Sequence, residues 1–223
     1  MVTFSKFEPD FFEFFIELSM NNQKSWFDLN RKRYEENVKA PFLEFVGALI
    51  EKMSAIDSDF NGIVPKECVF RINKDIRFSK NKMPYKSFCS ASIHIGGRKS
   101  MFPGGMYIEI GAENCAIYTG VYMPEKEDLL KYRENIAANI SSFQEAISEE
   151  QFLKYFGSVR GEKNKKIDPR FKEVISKEPL ILNKQFYVMH SFEAEKTFEN
   201  DFLKYVIDVW LSANKFNNAL LGI

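Results

Sequence analysis

Between Val69 and Ser87 the chain reads VFRINKDIRFSKNKMPYKS, and here its chemistry-bearing side chains gather. Read with the two-residue period of an extended backbone, Arg71, Asn73, Asp75 and Arg77 fall on one side. Phe70, Ile72, Ile76 and Phe78, interrupted by Lys74, fall on the other. Ser79, Lys80, Lys82, Tyr85 and Lys86 follow on a polar stretch whose Pro84 biases Met83 toward an extended or turn conformation. From Arg71 to Lys86 six Lys or Arg stand against one Asp, a local charge of +5 in a chain whose 31 basic and 31 acidic residues cancel.

Guanidinium groups hold phosphate or carboxylate bidentately. One reading is therefore an anion site built from Arg71, Asn73, Asp75, Arg77, Ser79, Lys80, Lys82, Tyr85 and Lys86, with Tyr85 stacking on the ligand or hydrogen-bonding to it. Asp75, flanked by Arg71 and Arg77, serves there as an ion-pair partner that orients them and not as a general base. The competing reading is a structural ion-pair network that ties the segment to a neighbouring helix, with the lysines solvated. The supply of acid separates the two. Desolvating an arginine costs several kcal/mol unless it is paired, and the segment has one acid for six bases.

Other chemistries are poorly provided for. The two histidines, His94 on an expected strand and His190 in a loop-like stretch after Tyr187, Val188 and Met189, have no carboxylate at metal-ligand spacing, so no metal site is expected. Cys68, Cys89 and Cys115 are odd in number and far apart, which argues against disulfides or zinc and for a reducing, cytoplasmic setting. Cys89 and His94 are five apart, on opposite faces of a strand. No nucleophile elbow, Walker A sequence or dinucleotide fingerprint occurs, and nothing asks for a cofactor. No apolar run approaches the roughly 18–20 residues that span a bilayer. Phe11 to Leu18 is broken by Glu13 and Glu17, unlike the apolar region of a signal peptide.

The stretch FRINKDIRFSKNKMPYK, Phe70 to Lys86, resembles the signature of the conserved hypothetical proteins of domain-of-unknown-function family 2461. Lys74 stands where that signature has Arg, Asn81 where it has Asp, and Met83 where it has a small hydroxyl residue. The resemblance extends to Trp26, Phe27 and Tyr34, to Pro103-Gly104-Gly105 and to Gly120 through Pro124, so it covers most of the chain. It implies an architecture and no activity.

These side chains need elements to position them. With 223 residues, 45% of them hydrophobic and 23 of them Phe, the chain has ample material for an aromatic core, and no linker divides it. Helices are expected over 9–55. Pro9 opens the first, Asn21-Asn22 breaks it, a second runs from Gln23 to Lys39, and Pro41 restarts the helix with Phe42, Phe45, Val46, Leu49, Ile50 and Met53 as its buried stripe. Trp26 and Tyr34, on one face of the second helix, read as core. A sheet is expected over 67–122, from the Phe70, Phe88, Ile108 and Ile117 segments, with a loop at Gly96 to Gly105 whose Arg98 and Lys99 could approach the anion site. Helices return over 124–221. Ser142 with Glu145 and Ser148 with Gln151 read as capping boxes, and one closing helix runs from Phe198 to Leu221. Arg160 to Lys172 is a second basic stretch, read as a solvated loop. Strands separated by turns and flanked by helices make a single α+β domain, 1–223, with a mostly antiparallel central sheet.

Three function classes follow. The first is a binding domain for a small phosphate- or carboxylate-bearing ligand at the basic segment. The second is a nucleic-acid-binding module on the same surface, against which a pI near 6.8 speaks. The third is an enzyme of unrecognised type that uses the arginines electrostatically on such a substrate, its catalytic residues unidentified.

Overall fold

The structure, a computed structural model, describes residues 4–77, 80, 82–98, 100, 102–113 and 115–223. Helices α1 (Pro9–Met20), α2 (Lys24–Leu29) and α3 (Arg31–Arg33) lead into a π-helical turn, Tyr34–Lys39, and then directly into α4 (Ala40–Ile56). Short α5 (Pro65–Cys68) precedes the signature. Strands β1 (Phe88–Ile93), β2 (Met106–Gly111) and β3 (Cys115–Val121) follow, then α6 (Lys126–Ala138), α7 (Ile140–Ser148), α8 (Glu150–Phe156) and α9 (Lys172–Ile175). The chain closes with β4 (Phe186–Ser191), α10 (Phe202–Leu211) and α11 (Asn214–Leu221). The strands form one antiparallel sheet in the order β1-β2-β3-β4, flanked by helices, and the class is α+β.

By contacts the chain divides into two compact units. The first comprises Met1–Arg98, Tyr107–Ile117 and Ser191–Ile207. Its core is aromatic: Phe7, Phe11, Phe14, Phe15, Phe42, Phe45, Phe60 and Phe202 are each at most 1% exposed. Phe45 stacks on Phe202 at 5.4 Å between ring centroids and meets Phe7 at 5.2 Å. Burying a Phe side chain stabilises by roughly 1.5–3 kcal/mol, so these rings dominate the unit. Arg33 links the helices by donating to Asp10 of α1 and, at 2.9 Å, to Glu17. Trp26 packs on Phe14, and Tyr34 lies between Phe14 and Phe27, so both belong to the packing.

The second unit comprises Lys99–Met106, Tyr118–His190 and Asp208–Ile223. Phe143, Phe152 and Phe186 are buried there with Phe216, whose ring lies 5.7 Å from Phe152 and 6.2 Å from Phe143. Arg133, 7% exposed, donates from Nε to the Ile181 carbonyl at 2.9 Å and from Nη2 to the Asn183 carbonyl at 2.8 Å. Gly120 adopts φ +97°, and a Cβ there would stand 2.4 Å from the Phe186 carbonyl oxygen, so the approach of β4 to β3 requires glycine.

Five sequence expectations need correction. The Phe70 segment is not a regular strand: isolated bridges pair Val69 with Ala91 and Asn73 with Tyr85. Pro84 has no N–H to continue the ladder, and the Asp75–Arg77 pair turns the chain locally. The fourth strand is instead Phe186–Ser191, inside the region read as helical, with His190 on it. Its partner β3 is some 65 residues away in sequence, outside any local pattern. Pro41 does not restart a helix, because α4 continues from the π-helical turn. The capping boxes do not form: Ser142 lies within α7, and Ser148 donates to the Glu145 carbonyl. The closing helix is two helices, separated at Ser212 and Ala213.

Candidate functional site

The signature arm lies along β1 through a few backbone hydrogen bonds. Phe70 donates to the Ser90 carbonyl at 2.9 Å, Lys86 to that of Ile72 at 2.9 Å, and Lys74 to that of Pro84 at 2.8 Å. Extended geometry still imposes its two-residue period. Arg71, Asn73, Asp75 and Arg77 are exposed, Ile72 is buried, and Phe70, Lys74 and Ile76 are half-buried.

The expected residues then part company. Arg77 donates to Asp75 from Nε at 2.9 Å and from Nη2 at 2.6 Å, a pair closed within the arm itself. That pair, with Arg71 adding its field, holds the Asp75 carboxyl below its usual range. Lys82 donates from Nζ to the Ile76 carbonyl at 3.0 Å. Lys80 is exposed, and Ser79 and Phe78 lie outside the described residues. Tyr85 needs the sharpest correction. It is 4% exposed and stacked on Phe27 at 4.2 Å, while Asn22 closes a pair of 3.0 Å hydrogen bonds with its backbone N–H and carbonyl. The aromatic ring that looked available to a ligand is core, because the hydrogen bonds of Asn22 to its backbone seat it against Phe27 of α2.

The field of Arg71 reaches Lys86, which comes together with partners from elsewhere in the same unit around the half-buried ring of Phe70. Lys86 Nζ lies 5.2 Å from its centroid, Arg98 Cζ 5.0 Å, and the Tyr107 ring meets it edge-on at 5.9 Å. Lys86 also sits 5.8 Å over Phe88 of β1. Arg98 is anchored by donating from Nη1 to the Val69 carbonyl at 2.9 Å. On β2, the Tyr107 hydroxyl donates to Glu109 Oε1 at 2.7 Å. Gly111 permits this strand to approach, since a Cβ there would fall 2.4 Å from the Ser87 carbonyl oxygen.

The charge balance of this patch is unusual. Burial pushes the Lys86 pKa below its ordinary value; Glu109 and Cys89 oppose that, and the fields of Arg71 and Arg98 add to it. Directly across from Phe70, Ser90 is 1% exposed and its Oγ has no hydrogen-bond partner among the described residues. By strand alternation it shares a face with Phe88. Cys89 is not a nucleophile, since burial raises its thiol pKa far above the usual range. His94, 8% exposed, follows β1 and does not sit on it. Among the described residues no group of three or more His, Cys, Asp or Glu could hold a metal.

Sequence reasoning placed Arg98 within possible reach of the site but missed Phe70 as its hub, and it missed Tyr107 and Glu109. The signal was available in β2, where YIE puts a phenol and a carboxylate two residues apart on one strand face. The model of the family described as conserved hypothetical protein (DUF2461) matches residues 10–218, nearly the whole chain. No curated protein and no solved structure matches it.

Proposed function

The chain belongs to that family, and on this premise we propose that it is a binding domain for a small anionic ligand bearing phosphate or carboxylate. Arg71, Lys86 and Arg98 are its contacts, and Phe70 is the apolar floor between them. The observation that carries the reading is that Lys86 and Arg98 both lie over one half-buried ring, and that neither of them, nor Arg71, whose field reaches Lys86, has an ion-pair partner among the described residues. Burial of a cation without a counter-ion is unfavourable, and an incoming anion supplies that counter-ion. The unpartnered Ser90 hydroxyl is a further donor beneath the same face. The Arg77–Asp75 pair and Lys82 stand outside the contact set. An extended nucleic-acid track is not favoured, because the cations form one compact group in a chain of zero net charge.

Thermal melts with millimolar phosphate or acetate test this. Charge-assisted hydrogen bonds contribute roughly 1.5–3 kcal/mol each, so Arg71→Ala or Arg98→Ala weakens the anion by about ten- to a hundredfold. Arg77→Ala leaves the ligand effect intact and barely moves the melting temperature, since its pair is fully exposed. A parent protein whose melting temperature does not respond to either anion sinks the proposal.

A further inference from the structure

We propose that Lys86 is a carbonyl-reactive amine, so that the ligand of this site is a small aldehyde or ketone carrying a phosphate or carboxylate. This rests on the anion-site reading above and assigns it a chemistry. The argument begins from Lys86's position. It is the one half-buried cation of the group: Arg71, Arg98 and the turn lysines Lys80 and Lys82 are exposed. Its backbone is fixed by the hydrogen bond to Ile72, and its ammonium lies between the Phe70 and Phe88 rings. Burial, with the fields of the two arginines, lowers its pKa against the opposing fields of Glu109 and Cys89, so the amine has more of its neutral, nucleophilic form than a solvated lysine.

The neighbours complete the chemistry. Arg98, over the same Phe70 ring as Lys86, is placed to hold the anionic tail, with the field of Arg71 adding to it, which puts a carbonyl a short reach away at Lys86. The neutral amine forms a C–N bond to the carbonyl carbon, and the C=O π electrons go to oxygen, which takes up a proton to give a carbinolamine. Nitrogen loses a proton, and the hydroxyl leaves as water after gaining one. Amine and carbonyl thereby become an imine, protonated as iminium, and water, with no oxidant or reductant involved. Glu109, whose field reaches Lys86 and whose Oε1 accepts from Tyr107, is the group positioned to take and return those protons. A lysine that merely packs on two rings needs neither the flanking arginines nor this carboxylate–phenol pair.

The test uses the unmodified chain. It is incubated near neutral pH with glycolaldehyde phosphate and sodium cyanoborohydride, which reduces an iminium to a stable secondary amine, and adducts are mapped by peptide mass spectrometry. Lys86 is expected to react at least about tenfold faster than exposed Lys52 or Lys165, the selectivity of a positioned amine. Inorganic phosphate should slow Lys86 alone, and unphosphorylated glycolaldehyde should lose the preference. Arg98→Ala should reduce the selectivity, while Lys86→Arg should abolish the adduct at this position and leave the slower reaction of Lys52 and Lys165 as it was. Adducts spread evenly over exposed lysines, with Lys86 no faster, overturn the proposal. If phosphate still stabilises the parent in that case, the anion site stands and only its carbonyl chemistry falls. If phosphate has no effect either, both fall.

Discussion

Residues 71–86 and residues 160–172 are both crowded with lysine and arginine, yet the two segments meet their surroundings in different ways. In the later segment the backbone is tied down and one cation finds acids. Arg170 donates to Glu134 at 2.6 Å and pairs with Asp168 at 3.2 Å, the segment's Glu162 pairs with Lys184 at 3.0 Å, and the backbones of Arg160 and Lys163 bridge to Tyr187 and Asn183. Arg133, buried nearby in the same unit, is held by carbonyls. In the signature, among the described residues, Arg77 alone finds a local carboxylate, while Lys86, joined by Arg98, lies over an aromatic ring. The lesson is that basic content does not mark a site. What marks it is basic content gathered on a half-buried ring.

The comparison can be broken at three points. The largest effect is on the cores that support the two segments. Phe45 in the first unit and Val209 in the second are both 0% exposed. Phe45→Asp or Val209→Asp would bury an unpaired carboxylate at a cost of several kcal/mol, and each should abolish soluble folding, as read by soluble yield. A soluble variant with unchanged melting behaviour in either unit would show that its core does not depend on that position.

The next effect contrasts a structural arginine with a ligand-facing one. Arg133→Ala strips the donors from two buried carbonyls and should cost roughly 3 kcal/mol in urea unfolding. Arg98→Ala, at an exposed site with one hydrogen bond to Val69, should cost far less stability while weakening the anion. Equal losses would put both arginines in the same structural class and dissolve the contrast.

The smallest effect is a slope. Lys86 in the folded chain has a pKa below its ordinary 10.5. In the window just below 10.5 the unfolded state therefore binds more protons than the folded one, and stability rises with pH there. The cost of holding a buried charge is fully present below the folded pKa and is relieved as the pH climbs to 10.5. Lys86→Met should flatten that slope in pH-dependent melts, whereas Arg133→Ala should not, because a guanidinium does not titrate in this range.

Local pattern made much of this fold legible. The stripe from Phe42 to Met53, strands β1 to β3 and the alternating exposure of residues 70–77 all follow from periods of 3.6 and 2 that a sequence displays directly. Other features depend on partners remote in the chain. β4 is defined by pairing with β3, Tyr85 is buried by Phe27 of α2 and by Asn22 between α1 and α2, and Glu109 and Tyr107 reach the site across the β1–β2 pairing. The candidate residues were legible as a group of types. Which of them face a ligand was not, because Asp75 and the Ile76 carbonyl capture Arg77 and Lys82 at a range that only coordinates reveal.

The π-helical turn at Tyr34–Lys39 makes the long helix around it carry an inserted residue. An α-helix advances about 100° per residue, so one residue more or less rotates everything on one side of the turn against everything on the other. Residues 31–33, which include the Arg33 that joins Asp10 and Glu17, and the Phe42 stripe that faces Phe7 and Phe202 are in phase only because that residue is present. A deletion of exposed Glu36 would regularise the helix while pulling its two halves out of alignment. Shortening the chain here is therefore more harmful than almost any exchange of side chain in the same six residues, and insertions and deletions, ordinarily the business of loops, would be tolerated worst inside this turn.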